Sequence, residues 1–224
     1  MAQDGPRIGL GTWLLRQSFS WMVVRPAILL GLGLKVRHRD RLPTDGPAIL
    51  AANHNSHLDT MVLMSLLPYR ALPRVRPVAA ADYFLANPLM AWFSTRVIGI
   101  LPVHRDGGGG RDRDPLAGAA GALAAGEIVI IFPEGTRGLP EHMAEMKTGV
   151  AHLAKRFPRV PVVPVFLHGL GKTLPRGAWL PVPFFVDVVV GEAMYGRDDH
   201  RGFVAELEAA IRALGDEIYR AEWS

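Results

Sequence analysis

Residues 47–60 read PAILAANHNSHLDT. The run AILAA follows a turn at Pro43 to Gly46 and reads as a short buried strand. TMVLMSLL, residues 60–67, reads as a helix. Between them lie Asn53, His54, Asn55, Ser56, His57 and Asp59, all polar. A strand that empties into such a cluster and then into a helix is half of an α/β unit. Ligands in such folds gather beyond the carboxyl ends of the strands.

Outward from this stretch the alternation repeats. Upstream, LKVRHRD (34–40) alternates as a half-exposed strand. Downstream come a strand at RPVAAA (76–81) and helical YFLANPLMAWFSTR (83–96), with a break expected at Pro88. VIGILPV (97–103) reads as extended, and HRDGGGGRDRD (104–114) as a glycine-rich loop. Asp114 before Pro115 marks the N-cap of PLAGAAGALAAG. EIVIIF (127–132) is a central strand with the loop PEGTRG after it, and AEMKTGVAHLAKRF (144–157) is a helix. VPVVPVFL and FFVDVVVG supply two more strands. A last helix carries Phe203, Leu207, Ile211, Leu214 and Ile218 as one stripe. The expected fold class is α/β, a mixed sheet covered by helices.

The chain has 224 residues, long enough to bury a substantial core, and is 49% hydrophobic with 21% charged residues. It has no cysteine, which excludes disulfides, thiolate metal sites and cysteine nucleophiles. Residues 1–76 hold ten Lys or Arg against four Asp, whereas the tail from Glu192 holds eight acids against four Arg. A basic front half suits anionic headgroups, acidic cofactors or nucleic acid by Coulomb attraction.

Residues 9–34, GLGTWLLRQSFSWMVVRPAILLGLGL, are apolar but interrupted by Arg16 and Arg25. A bilayer core needs about 20 consecutive apolar residues, so no clean span is expected, and no secretory leader. Nine positions separate the two arginines, which puts them on opposite faces of one straight helix. Two short helices, breaking near Ser18–Ser20 or Pro26, would let both snorkel toward headgroups as a membrane-surface hairpin. The alternative is an ordinary buried hairpin. The expected domains are an N-terminal membrane-associating segment, 1–34, and an α/β domain, 35–224.

Three chemistries compete for the polar cluster. Ser56 and Asp59 have capping-box spacing, which accounts for them without catalysis but leaves Asn53, His54 and His57 unexplained. A metal held by His54, His57 and Asp59 lacks further ligands, since the other histidines are scattered and HExxH is absent; no metal is expected. A serine hydrolase lacks its G-x-S-x-G elbow. The third chemistry is a His54–Asp59 dyad, in which the carboxylate fixes the imidazole tautomer and the free nitrogen takes a proton from a hydroxyl. With an activated donor such as a thioester, no enzyme nucleophile is needed.

NHNSHLD resembles the NHx4D block of the glycerolipid acyltransferases, the family of the 1-acylglycerol-3-phosphate acyltransferases. GILPVHR (99–105) resembles its second block, FPEGTR (132–137) its third and VPVVPV (160–165) its fourth, in the same order. The resemblance implies a glycerol-3-phosphate acyltransferase-like α/β fold. It also implies acyl transfer from acyl-CoA or acyl-carrier protein to a lysolipid hydroxyl, with no cofactor beyond the donor. His54 would be the general base and Asp59 its orienting partner. Arg105, Glu134, Gly135, Thr136 and Arg137 would bind substrate, the two arginines by forking a phosphate. The expected acceptor is 1-acylglycerol-3-phosphate, giving phosphatidic acid. Another lysolipid (a lyso-ornithine lipid, lysophospholipid or glycolipid) and a non-catalytic lipid-binding module are the alternatives. The expected partners are these substrates and a membrane surface, on the cytoplasmic face of the cell membrane, with no nucleic acid.

The chain departs from the pattern at three places. Ala80 and Ala81 stand where many relatives carry lysine, and Gly138 where the third block usually ends in serine. Between the third and fourth blocks, Lys147 is a candidate substitute cation.

Overall fold

The run AILAA forms β2 (Ala48–Ala52), the middle strand of seven and buried at every residue. The computed structural model describes residues 9–56, 58–81, 87–103, 114–136, 143–173 and 185–221; His57, Arg105 and Arg137 lie outside them. The other strands are β1 (Gly33–Arg37), β3 (Val75–Ala80), β4 (Leu101–Val103), β5 (Ile128–Ile131), β6 (Val162–His168) and β7 (Phe185–Val190). Their order is β1-β7-β6-β2-β5-β3-β4. The five strands from β6 to β4 are parallel, β7 is antiparallel to β6, and β1 runs with β7. The sheet is therefore mixed, as the alternation implied.

Both faces are covered, which explains why the central strands are apolar runs rather than alternating ones. On one face Leu50, Ile130 and Val165 pack in a cluster with Val62 and Leu63 of α3 (Leu58–Leu66) and with Val24 and Ile28 near the N-terminus. On the other, Ile49, Val129 and Val162 join Leu123 of α5 (Ala117–Ala124), Leu153 of α6 (Gly149–Arg156) and Phe203, Leu207 and Ile211 of α8 (His200–Ala221). Each such Leu or Ile side chain contributes roughly 1.5–3 kcal/mol by leaving water.

The N-terminal segment is helical but does not reverse as a hairpin. α1 (Leu10–Phe19) passes through a π-helical stretch, Ser20–Val24, into α2 (Arg25–Gly31), with right-handed helical dihedrals at Phe19, Ser20, Val24 and Arg25. A π turn absorbs one extra residue. Arg16 and Arg25, opposite each other on a regular helix, are thereby brought to roughly 80° apart. Both turn inward rather than snorkelling. Arg16 is buried and donates to the carbonyls of Arg96, Pro73 and Thr95, while Arg25 donates to Leu67 O at the end of α3.

Two further boundaries differ from the sequence reading. Val97 and Ile98 are not extended: α4 (Pro88–Trp92) continues as a π-helical stretch, Phe93–Ile98, until Gly99 (φ 89°) breaks it before β4. Residues 144–147 are not helical either, because Ala144 and Lys147 spend their N–H groups on Glu134 and Pro133. A short α7 (Leu170–Thr173) follows β6.

Candidate active site

β2 and β5 are parallel neighbours, with Ala51 paired to Ile131, so the chain leaving each emerges at the same edge of the sheet. One loop carries Asn53 to Ser56, and the other Phe132 to Thr136. Adjacent carboxyl ends of this kind are where α/β sheets hold their ligands.

In the first loop His54 Nδ1 lies 2.8 Å from Asp59 Oδ2. The same carboxylate oxygen accepts the backbone N–H groups of Asn55 (2.7 Å) and Ser56 (2.8 Å), while Ser56 Oγ accepts from Leu58 N at 3.3 Å. Capping and the His–Asp contact are thus one structure, since Asp59 tethers the loop and the imidazole together. With Asp59 ionised the shared proton resides on Nδ1, leaving Nε2 as the acceptor. The side chain of Asp59 is fully buried, and that of His54 retains 17% of its exposure. Among the described residues nothing bonds His54 Nε2 or Asp59 Oδ1. Burial pushes the Asp59 carboxyl up from the ordinary carboxylate range; the hydrogen bond and charge of His54 and the two backbone N–H groups oppose this.

The second loop supports the first. The ring of Phe132 stacks on the imidazole at 4.2 Å between centroids and 19° between planes, which restricts the rotation of His54. Glu134 Oε1 accepts the N–H of His54 and Oε2 that of Ala144, both at 2.8 Å. Both oxygens of this buried carboxylate are therefore engaged with backbone. Burial raises its pKa, opposed by the N–H groups of Ala144 and His54. Gly135, at φ 69°, donates to Phe132 O and closes the turn; it and Thr136 are exposed at the site edge. His57, Arg105 and Arg137 fall outside the described residues, so of the expected site His54, Asp59, Glu134, Gly135 and Thr136 are brought together.

The sequence reading missed three contributors. Phe132 reads as the end of a strand, though its place before PEGT sets it beside the loop. Asn53 pairs its amide with Leu167 of β6 in both directions, Nδ2 to O at 2.9 Å and N to Oδ1 at 2.7 Å, and Asn55 adds a bond to the same carbonyl. These bonds extend the β2–β6 pairing past the last strand residue and hold the His54 loop on the sheet. Asn53→Ala is expected to cost about 1–3 kcal/mol, because the buried Leu167 N–H loses its acceptor. Thermal unfolding of the two proteins side by side measures it.

The Acyltransferase family matches residues 33–168. Human 1-acyl-sn-glycerol-3-phosphate acyltransferase alpha is 29% identical over 148 residues, 65% of this chain and 49% of that protein. A 1-acyl-sn-glycerol-3-phosphate acyltransferase of Chlamydomonas reinhardtii is 33% identical over 156 residues, 68% of this chain and 43% of that protein. The Pseudomonas aeruginosa protein of the same description is 25% identical over 195 residues, covering 85% and 70%. The chain thus spans about half the length of the human relative. The crystal structure of the 1-acyl-sn-glycerophosphate (LPA) acyltransferase PlsC from Thermotoga maritima superposes with a TM-score of 0.72 at 22% identity, over 95% of this chain and 81% of that one, a likeness of fold. With the family matched from β1 to the last residue of β6, across both loops of the site, this chain belongs to the Acyltransferase family.

Proposed function

We propose that the chain transfers a fatty acyl group from acyl-CoA or acyl-carrier protein to the free hydroxyl of a lysophospholipid, with 1-acylglycerol-3-phosphate as acceptor and phosphatidic acid as product. The observation that carries this is the 2.8 Å contact between His54 Nδ1 and a buried Asp59 carboxylate, with Nε2 left unpartnered among the described residues. Nε2 takes the hydroxyl proton as the acceptor oxygen attacks the thioester carbonyl. The C–O bond forms, the C–S bond breaks, and the imidazolium returns its proton to the departing thiolate. Asp59 stabilises the imidazolium between these steps, and its burial strengthens that interaction. The relatives' names support the acceptor.

The reading includes attachment to a membrane surface on the side where soluble acyl donors reside. Trp13, Leu14, Trp21 and Met22 on the N-terminal helices, with Leu89 and Trp92 on α4, expose apolar area to the surroundings. Among the described residues no helix is long and apolar enough to cross a membrane. The exposed tryptophans suit the interfacial region, where an apolar ring and a polar N–H are both satisfied.

The test supplies purified protein with labelled acyl-CoA and a panel of lysolipids, with products read by mass. Phosphatidic acid formed at least tenfold faster than any other product is the expected result. Preference for another lysolipid would move the acceptor and keep the chemistry. No turnover, with headgroup-dependent liposome binding, would leave a lipid-binding module.

A further inference from the structure

The loop after β5 is overlaid by a cation. Lys147 follows buried Met146, and its own N–H donates to Pro133 O at 2.9 Å. Three residues upstream, Ala144 N is held by Glu134 Oε2. The segment 144–147 is therefore pinned at both ends to the loop whose Glu134 holds the backbone of His54. The side chain of Lys147 lies across Gly135: a Cβ built there would stand 3.0 Å from Nζ and 3.2 Å from Cδ and Cε. Gly135 is the residue that leaves this room.

Among the described residues Lys147 has no ion pair and no side-chain hydrogen bond. Glu134 forms no ion pair with it, and each of its carboxylate oxygens accepts a backbone N–H instead. An exposed lysine on a pinned backbone, without an acid partner among the described residues, over the loop whose Glu134 holds the backbone of His54, presents positive charge to whatever occupies that edge of the sheet. At the last residue of β3 and the next, Ala80 is half-buried and Ala81 buried, so neither supplies a charge.

We propose that Lys147 receives the phosphate monoester of the acceptor, a dianion that its three ammonium donors bind as a point charge. This rests on the acyl-transfer reading for its substrate. Coenzyme A also carries a phosphate monoester, so the experiment separates the two sources.

Steady-state kinetics of Lys147→Gln are expected to show the KM for 1-acylglycerol-3-phosphate raised about ten- to a hundredfold, the loss of one charge-assisted contact. The KM for acyl-CoA should move less than twofold, and Lys147→Arg should recover most of the loss. Gly135→Ala, which pushes the lysine aside, should raise the same KM. An unchanged acceptor KM overturns the proposal, as does a rise confined to acyl-CoA. Equilibrium binding of a short-chain 1-acylglycerol-3-phosphate without donor tests the same contact if the wild-type protein transfers no acyl group. Weaker binding by Lys147→Gln supports the inference although the acyl-transfer reading has failed; equal binding overturns it.

Discussion

His54→Ala is expected to lower acyl transfer by about 10²–10⁴-fold while the protein stays folded. The imidazole stands at the open edge of the sheet and keeps part of its exposure, so its removal takes away the stack on Phe132 and one bond to Asp59, not core packing. The backbone N–H of residue 54 still reaches Glu134, which keeps the loop in place. Asp59→Asn should damage both activity and structure. With its NH2 at the Oδ2 position the amide would favour the wrong imidazole tautomer and meet the N–H groups of Asn55 and Ser56 donor to donor; with its carbonyl there, the NH2 would be buried without an acceptor where Oδ1 now lies. Initial rates at saturating acceptor and donor, beside a thermal melt, separate the two. If His54→Ala keeps more than a tenth of wild-type turnover, this ring is not the base.

What the sequence disclosed, and what it hid, follows from distance along the chain. AILAA was legible because burial on both faces makes a strand a plain apolar run. His54 and Asp59 were legible because both partners lie within a single strand-to-helix connection. Glu134 was not: it lies 80 positions from the backbone N–H it holds, and nothing in FPEGTR says that its oxygens turn toward backbone. Asn53 and Leu167, 114 positions apart, are hidden for the same reason. The stretch 144–147 has a helical composition but yields its N–H groups to Glu134 and Pro133, a tertiary contact overriding local propensity. The π-helical stretch was equally hidden, because one inserted residue leaves the apolar character of SWMVV unchanged while rotating everything after it.

That rotation leads to the second large expected effect. Arg16→Met should destabilise the protein by about 3–5 kcal/mol, because it removes three hydrogen bonds from a charged donor, worth roughly 1.5–3 kcal/mol each, less the cost of burying the cation. Arg16 is 5% exposed, and its guanidinium has no carboxylate partner among the described residues. It is held by the carbonyls of Thr95 and Arg96, toward the end of the Phe93–Ile98 helical stretch, and of Pro73, at 3.1, 3.0 and 2.9 Å. The C-terminal end of a helix carries partial negative charge, which offsets part of the cost of burying the cation. Burial, then the charge of Arg76, lowers its pKa to about 10, so it remains charged at neutral pH. Gly99 makes room for it, since a Cβ there would lie 2.9 Å from the guanidinium carbon. Methionine fills much of the volume but leaves three carbonyls without a donor, and lysine cannot reproduce the planar fork. The environment of the measurement decides between two roles. An arginine that snorkelled to headgroups would weaken vesicle binding when replaced and leave a melt in detergent micelles nearly unchanged. An arginine that ties the N-terminal helix to the turn before β4 should lower the micellar melting temperature by roughly 6–20 °C. A micellar melt within about 2 °C of wild type would return Arg16 to the lipid surface.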